Sequence, residues 1–360
     1  MHSVFLAVAA SVAFVFVSCT PQSGSDARQT LLNAWGEHVI LPEYAQFAIL
    51  AAEMEPAIEA FCAEASPATL EQAQEAWTVA RAPWKRMEVF SFGPYADEPL
   101  RLGPKIDTWP ARTDAVDAFL AGDESITAEK VAGLGVYNRG FPALEYLLFA
   151  GDVAAAEGEA RRCGYMLALA QDLGSLGAQM YAAWDPEQGA YLDQLLQAGK
   201  GSTVFLTVHD ALGEVVNRIG HLAQEMRTDK LGRPLGESTD GTPQQQLVES
   251  RFSGRSVQDL KDNLAGIEQL VFPEESGAMG LARYAATLGH EEVGVHLRAQ
   301  IDVARVALEA IDEPLADAIV FDRGGVETAG DALEVLRQTL QTDVLSALSL
   351  SVSFNEADGD

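Results

Sequence analysis

The chain has 360 residues, with 53 acidic against 24 basic side chains and a net charge of −29. A surface this acidic repels nucleic acid and anionic lipid, which argues against both as charge-held partners. Cations, metal ions included, are what such a field attracts, although solubility alone accounts for most of the carboxylates.

The first element is an uncharged run from Val4 to Val17, rich in Ala, Val and Phe. It is too short to span a bilayer and has the length of a signal-peptide core. It ends in Val17-Ser18-Cys19, which resembles a bacterial lipobox. On that reading residues 1–18 are a signal peptide, and residues 19–30 are a lipidated Cys19 and its polar tether. The protein would then face the periplasm or sit at the outer membrane, held to the bacterial membrane by lipid. An ordinary cleaved signal or a buried N-terminal helix is the alternative. Three cysteines are an odd number for an exported chain. With Cys19 lipidated, Cys62 and Cys163 are left as a pair. A disulfide between them would close a loop of about 100 residues, worth up to ~4.7 kcal/mol in the chain-entropy picture. Two buried thiols are the other possibility.

Helical periodicity dominates the rest of the chain. Residues 29–63 read as one long helix with a kink at Pro42. Ser66-Pro67 opens a second helix, which runs to about Phe90 and stops at Gly93-Pro94. Helical stretches continue near 114–121, 127–135, 140–150, 155–181, 186–198, 203–227, 243–252, 255–271, 277–288, 290–311 and 327–349. Only Ser349–Phe354 alternates like a strand, and it is short and terminal. The expectation is an all-α protein of helical bundles. Ala143-Leu-Glu-Tyr-Leu-Leu-Phe149 matches Gly266-Ile-Glu-Gln-Leu-Val-Phe272, which sets Glu145 over Glu268. This faint repeat suggests two related, four-helix-bundle-like halves, 31–200 and 201–360.

Three constellations could carry chemistry. Trp77, Arg81, Trp84 and Glu88 share one helix face, a mixture that fits neither a pure core stripe nor a solvent stripe. Glu145 falls in the first turn of the helix opened by Gly140 and Pro142, where capping alone would justify it. The apolar residues after it imply burial, so it needs a partner: Arg139, a metal or a cationic ligand group. The third is Glu249-Ser-Arg-Phe-Ser-Gly-Arg-Ser256, followed by Asp259, Asn263 and Gly266 on one face of a helix capped at Ser256, either capping plus surface or a polar wall opposite Glu145. His290 and His296 are six apart and do not make a zincin helix, and the nucleophile elbow, P-loop and dinucleotide fingerprints do not occur.

Taken together these residues resemble the imelysin-like family of exported bacterial helical proteins. The resemblance rests on Trp84…Glu88…Phe92-Gly-Pro94, Trp109-Pro110, Asn138 to Phe149, Arg162-Cys163, Ser253…Ser256…Asp259…Asn263-x-x-Gly266 and the Phe354 to Asp360 ending. It implies two related bundles with a site between them, a nominal peptidase activity and a link to iron acquisition. The family hallmark, G-x-H-x-x-E, reads here Gly140-Phe-Pro142-Ala-Leu-Glu145. Proline offers no ligand atom and no titratable group, so metal-assisted hydrolysis cannot run through this motif as it would with histidine. His38 is a possible substitute. The expected ligand-binding set is Trp84, Glu88, Arg139, Glu145, Arg251, Asp259 and Asn263, with Glu145 the residue to touch an iron or other divalent metal ion. A non-catalytic binding protein is the leading expectation. An imelysin-type metallopeptidase and a scaffold for an outer-membrane or metal-uptake partner are the alternatives.

Overall fold

The computed structural model describes residues 23–151, 160–275, 277–311 and 314–352. The signal peptide, Cys19 and the Phe354 to Asp360 ending lie outside them. Every regular element described is helical, as expected. Helix α1 (Ser23–Trp35), a π turn (Gly36–Ile40) and α2 (Leu41–Ala63) follow without a break. Pro42 cannot donate to the carbonyl four residues back, and the chain widens just before it into the π turn. Residues 23–30, expected in the polar tether, are the start of α1, and Arg28 Nε donates to Tyr284 Oη at 2.9 Å.

Tyr44, Phe47, Ala51, Met54, Ile58 and Phe61 recur every three or four residues and bury one stripe of α2. Helices α3 (Pro67–Met87) and α5 (Ala160–Trp184) pack beside α2, with α4 (Gly140–Phe149) against both of these neighbours. Ser66 accepts from Thr69 N in a reciprocal capping box, with Pro67 in the first turn, as the sequence signals. Cys62 and Cys163 are disulfide-bonded, with Cα atoms 5.6 Å apart, joining the end of α2 to the start of α5. The later chain supplies α6 (Val208–Glu225), continued by a π segment (Met226–Gly232), then α7 (Ser256–Val271), α8 (Glu291–Glu309) and α9 (Arg323–Thr339).

Helix α7 lies on α3 and also contacts α8, so it bridges the early and late parts of the chain. Gly266 permits this. A Cβ there would stand 2.1 Å from the Arg86 carbonyl oxygen. Two stretches differ from the periodicity reading. Residues 243–252 hold only a 3-10 turn at Gln245–Leu247, and Ser250 has φ +48°. This segment is pulled out of helix because Glu249, Ser250 and Ser253 turn inward to bind buried groups. Residues 349–352 pair with no strand.

Candidate functional site: a buried charge network with a polar cavity beside it

Helix α3 contributes Arg81 and Lys85, and Glu88 follows at its end. Each is nearly out of solvent. The Arg81 guanidinium reaches Asp259 at 2.8 Å, Glu249 at 3.0 Å and Asp107 at 3.2 Å. The Lys85 ammonium reaches Glu249 at 2.5 Å, Asp107 at 3.3 Å and also Glu88. Lys230, from the π segment, closes the other side with Glu88 at 2.6 Å, Asn263 at 2.9 Å and Glu249 at 3.1 Å. Arg255 extends the chain of charges to Asp259 and to Asp262 at 2.6 Å.

Desolvation alone would lower the Lys85 and Lys230 pKa values, but the surrounding carboxylates outweigh it and raise both. Burial likewise pushes Glu249 up, and Lys230, Lys85 and Arg81 more than reverse it, so its carboxyl stays well below the usual range. Lys85, Lys230 and Glu249 therefore keep their charges at neutral pH.

Oxygen atoms of Glu88, Asp107 and Glu249 lie within 4.8 Å of one another, a spacing that could hold a metal ion. The ammonium of Lys85 lies against all three. A metal in this triad would have to displace a tethered cation, so the triad does not fit one as it stands.

The residues expected to form a pocket are only partly brought together. Glu88, Asp259 and Asn263 join the network, with Asn263 Nδ2 donating to Glu88 at 2.6 Å and to the Lys85 carbonyl at 2.7 Å. Trp84 borders it, its indole N–H donating to Asp107 at 2.9 Å. Arg139 lies apart, in a buried pair with Asp172 at 2.5 and 2.9 Å and donating to the Ala132 carbonyl. Glu145 sits beyond Arg81, only 3% exposed. Its Oε1 accepts from Phe252 N at 3.0 Å and from Ser253 N and Oγ, each at 2.8 Å. Burial still pushes this carboxyl up to about 7. Arg251 stacks its guanidinium 4.5 Å from the Phe252 ring centroid.

The cavity lined by Arg81, Trp109, Pro142, Glu145, Arg251 and Phe252 has about 10 Å³ of space, enough for the centre of roughly one water-sized group. No histidine or cysteine lines it among the described residues. His38 is exposed on the π turn before α2. A single buried carboxylate that already takes three donors, with Pro142 beside it, does not make a metal centre. Gly140 has its own reason to be there. Its φ is +76° and a Cβ would stand 2.3 Å from the Ile106 carbonyl oxygen.

A larger, polar cavity of about 330 Å³ opens on the other side of Trp109, lined by Ser91, His221, Gln224, Glu225, Asp229 and Arg233. Burial pushes the Glu225 carboxyl up to about 7, with Lys230 pulling it down and Glu88 pushing it up. Glu249 and Arg255 belong to the Glu249 to Ser256 stretch that the sequence singles out as a polar wall, whereas Lys85, Asp107, Glu225 and Lys230 are not singled out by it. Lys85 was discoverable, being four residues after Arg81 and three before Glu88. Asp107 sits at the end of a single helical turn and Lys230 in the π segment after α6, and neither carries a local signal.

A model of the imelysin family matches residues 40–342. Iron-regulated protein A of Synechococcus elongatus is 29% identical over 342 residues, covering 93% of this chain and 91% of that protein. The crystal structure of a putative iron-regulated protein A precursor from Parabacteroides distasonis superposes with a TM-score of 0.80 at 22% identity, over 90% of this chain and 95% of that one. An imelysin-like protein from Psychrobacter arcticum gives 0.75 at 20% identity, over 92% and 98%. With the family model covering most of the sequence and the fold shared throughout, this chain belongs to the imelysin family.

Proposed function

We propose that this chain is an exported, lipid-anchored imelysin-like protein that binds rather than cuts, in the service of iron or other metal acquisition. One observation carries the non-catalytic part. Glu145, the motif carboxyl, is committed to the Phe252–Ser253 backbone, and Pro142 stands where the motif histidine would be. Hydrolysis needs an activated water with an open position beside its base or metal. The space at Glu145 accommodates no more than about one water, with no room for a peptide.

The iron link draws on the names of the relatives from Synechococcus and Parabacteroides. Export and anchoring draw on the Cys19 signal and suit the Cys62–Cys163 disulfide, which belongs in an oxidising compartment. No helix among the described residues is long and apolar enough to cross a membrane, so lipid at Cys19 would be the attachment. The ligand enters the polar cleft beside Trp109, whose lining Glu225 feels the nearby charges of Lys230 and Glu88. Outer-membrane or uptake machinery is its expected partner.

A thermal-shift screen tests this. Ferrous and other divalent ions, ferric citrate, haem and short peptides are added to the purified mature chain. At least one iron-bearing or metal ligand should raise the melting temperature by several degrees, as ligation of the native state requires. A flat response to all of them would remove the binding reading.

A further inference from the structure

We propose that the end of the molecule where α1 begins is its membrane-facing surface, with loop 197–207 seating Val204 and Leu206 in the headgroup layer of a bilayer of no net charge. The proposal rests on the lipid anchor at Cys19 and says which face that anchor turns to the membrane.

Position is the first support. Three residues separate Cys19 from Ser23, the first residue of α1, so the lipidated residue stands within about 14 Å of that helix start. Two short helices run antiparallel to α1, towards the same end. In the first, Tyr191–Leu196, Leu192 lies beside Gly36 and the Leu196 carbonyl accepts from Gln29 at 2.8 Å. Loop 197–207 follows at the Gln29 end. The second, Leu281–Thr287, begins after Gly280, which lies against the Val271 carbonyl, next to the Leu270 carbonyl that accepts from Trp35. Its Tyr284 meets Arg28, and Leu288 follows one turn further on. Val204, Leu288 and above all Leu206, 74% exposed, are thus apolar side chains in water on the two segments that flank the start of α1. Single exposed apolar residues are ordinary. These three gather at the end that the anchor reaches.

The order of the loop is the second and independent support. Gln194 Oε1 accepts from Ser202 Oγ and Thr203 N, each at 2.9 Å, and Ser202 Oγ accepts from Phe205 N at 2.8 Å. Phe205 is buried in the core, which turns its neighbours Val204 and Leu206 outwards. The loop is tied down before it meets a surface, so contact needs little further ordering. The exposed acids Asp210, Glu291 and Glu292 lie on the same segments, so the attraction is apolar and anionic lipid is repelled. Helix α6 leads from Val208, next to the loop, to Glu225 in the cleft beside Trp109, about 25 Å on. Seating the loop therefore keeps the cleft well away from the headgroups.

The test uses the acylated chain reconstituted in vesicles of phosphatidylethanolamine and phosphatidylcholine, which carry no net charge. A polarity-sensitive nitrobenzoxadiazole label is placed on Leu206→Cys or, as control, on Phe321→Cys. Phe321 is 84% exposed and lies beyond the far end of α6, where Arg323 donates to the Leu235 and Gly241 carbonyls. Both positions are exposed, so neither label disturbs the core. The Leu206 label should shift to the blue on reconstitution and be quenched by spin-labelled lipid about threefold or more above the Phe321 label, at low and high salt alike. Both labels reading water in an acylated, vesicle-bound chain would overturn the assignment and leave the anchor standing. A Leu206 label already shielded in the unacylated mature chain would place a second copy of the chain on this face and overturn it equally. A Cys19 that carries no acyl mass would remove the anchoring reading itself, and this surface with it.

Discussion

Lys85 occupies the position a metal ion would take among Glu88, Asp107 and Glu249, and its removal is the most informative single change. Lys85→Met would leave three carboxylates within 4.8 Å without the one ammonium that reaches all of them. Breaking such a buried set should destabilise the fold by about 3–5 kcal/mol, read as a lower denaturation midpoint with an unchanged slope. Glu145 makes a prediction of opposite character. Its folded pKa is raised from 4.5 to about 7 by burial, so the folded state holds the proton more tightly than the unfolded chain does. Stability should therefore fall as pH rises from about 4.5 to about 7, by up to roughly 3 kcal/mol from this group. Glu145→Gln should flatten that slope in urea melts taken across the interval. An unchanged slope would mean the carboxyl is ionised throughout. Glu249 acts at the other end. Its depressed pKa contributes stability that is present above the usual carboxylate range and lost as pH falls below it.

At the level of elements, the α3–α7 contact holds the network together. Asp259, Asn263 and Gly266 occupy one face of α7, a pattern visible in the sequence, and the structure supplies its reason. Asp259 meets Arg81, Asn263 meets Glu88 and the Lys85 carbonyl, and Gly266 lets the backbones close. Gly266→Ala should force the helices apart, costing about 1–3 kcal/mol or more, and should expose Asn263 and Lys230 to faster amide exchange. The face of α3 was equally legible from the spacing of Trp77, Arg81, Trp84 and Glu88. Irregular segments were not. Residues 243–252 read as helix because their apolar positions suit one, yet Glu249 and Ser250 serve the buried charges instead. Periodicity reports burial along an element and carries no information about a side chain recruited across the fold.

Across the whole molecule, the helical class, the family and the Cys62–Cys163 bridge could all be read from the sequence. The matched positions Glu145 and Glu268 share a motif but not an environment. Glu145 is buried against backbone amides, while Glu268 pairs with Arg298 and Arg305 at partly exposed positions. Pro142 was the sequence feature with the greatest functional weight, and the structure gives it a setting: a tight lining, without histidine or cysteine among the described residues, around a carboxyl already committed elsewhere. The most direct measurement of the central claim is cleavage of an unfolded protein substrate by the purified mature chain, with and without a chelator. No cleavage above background should be seen in either condition. Cleavage that a chelator abolishes and that Glu145→Ala removes would contradict the account.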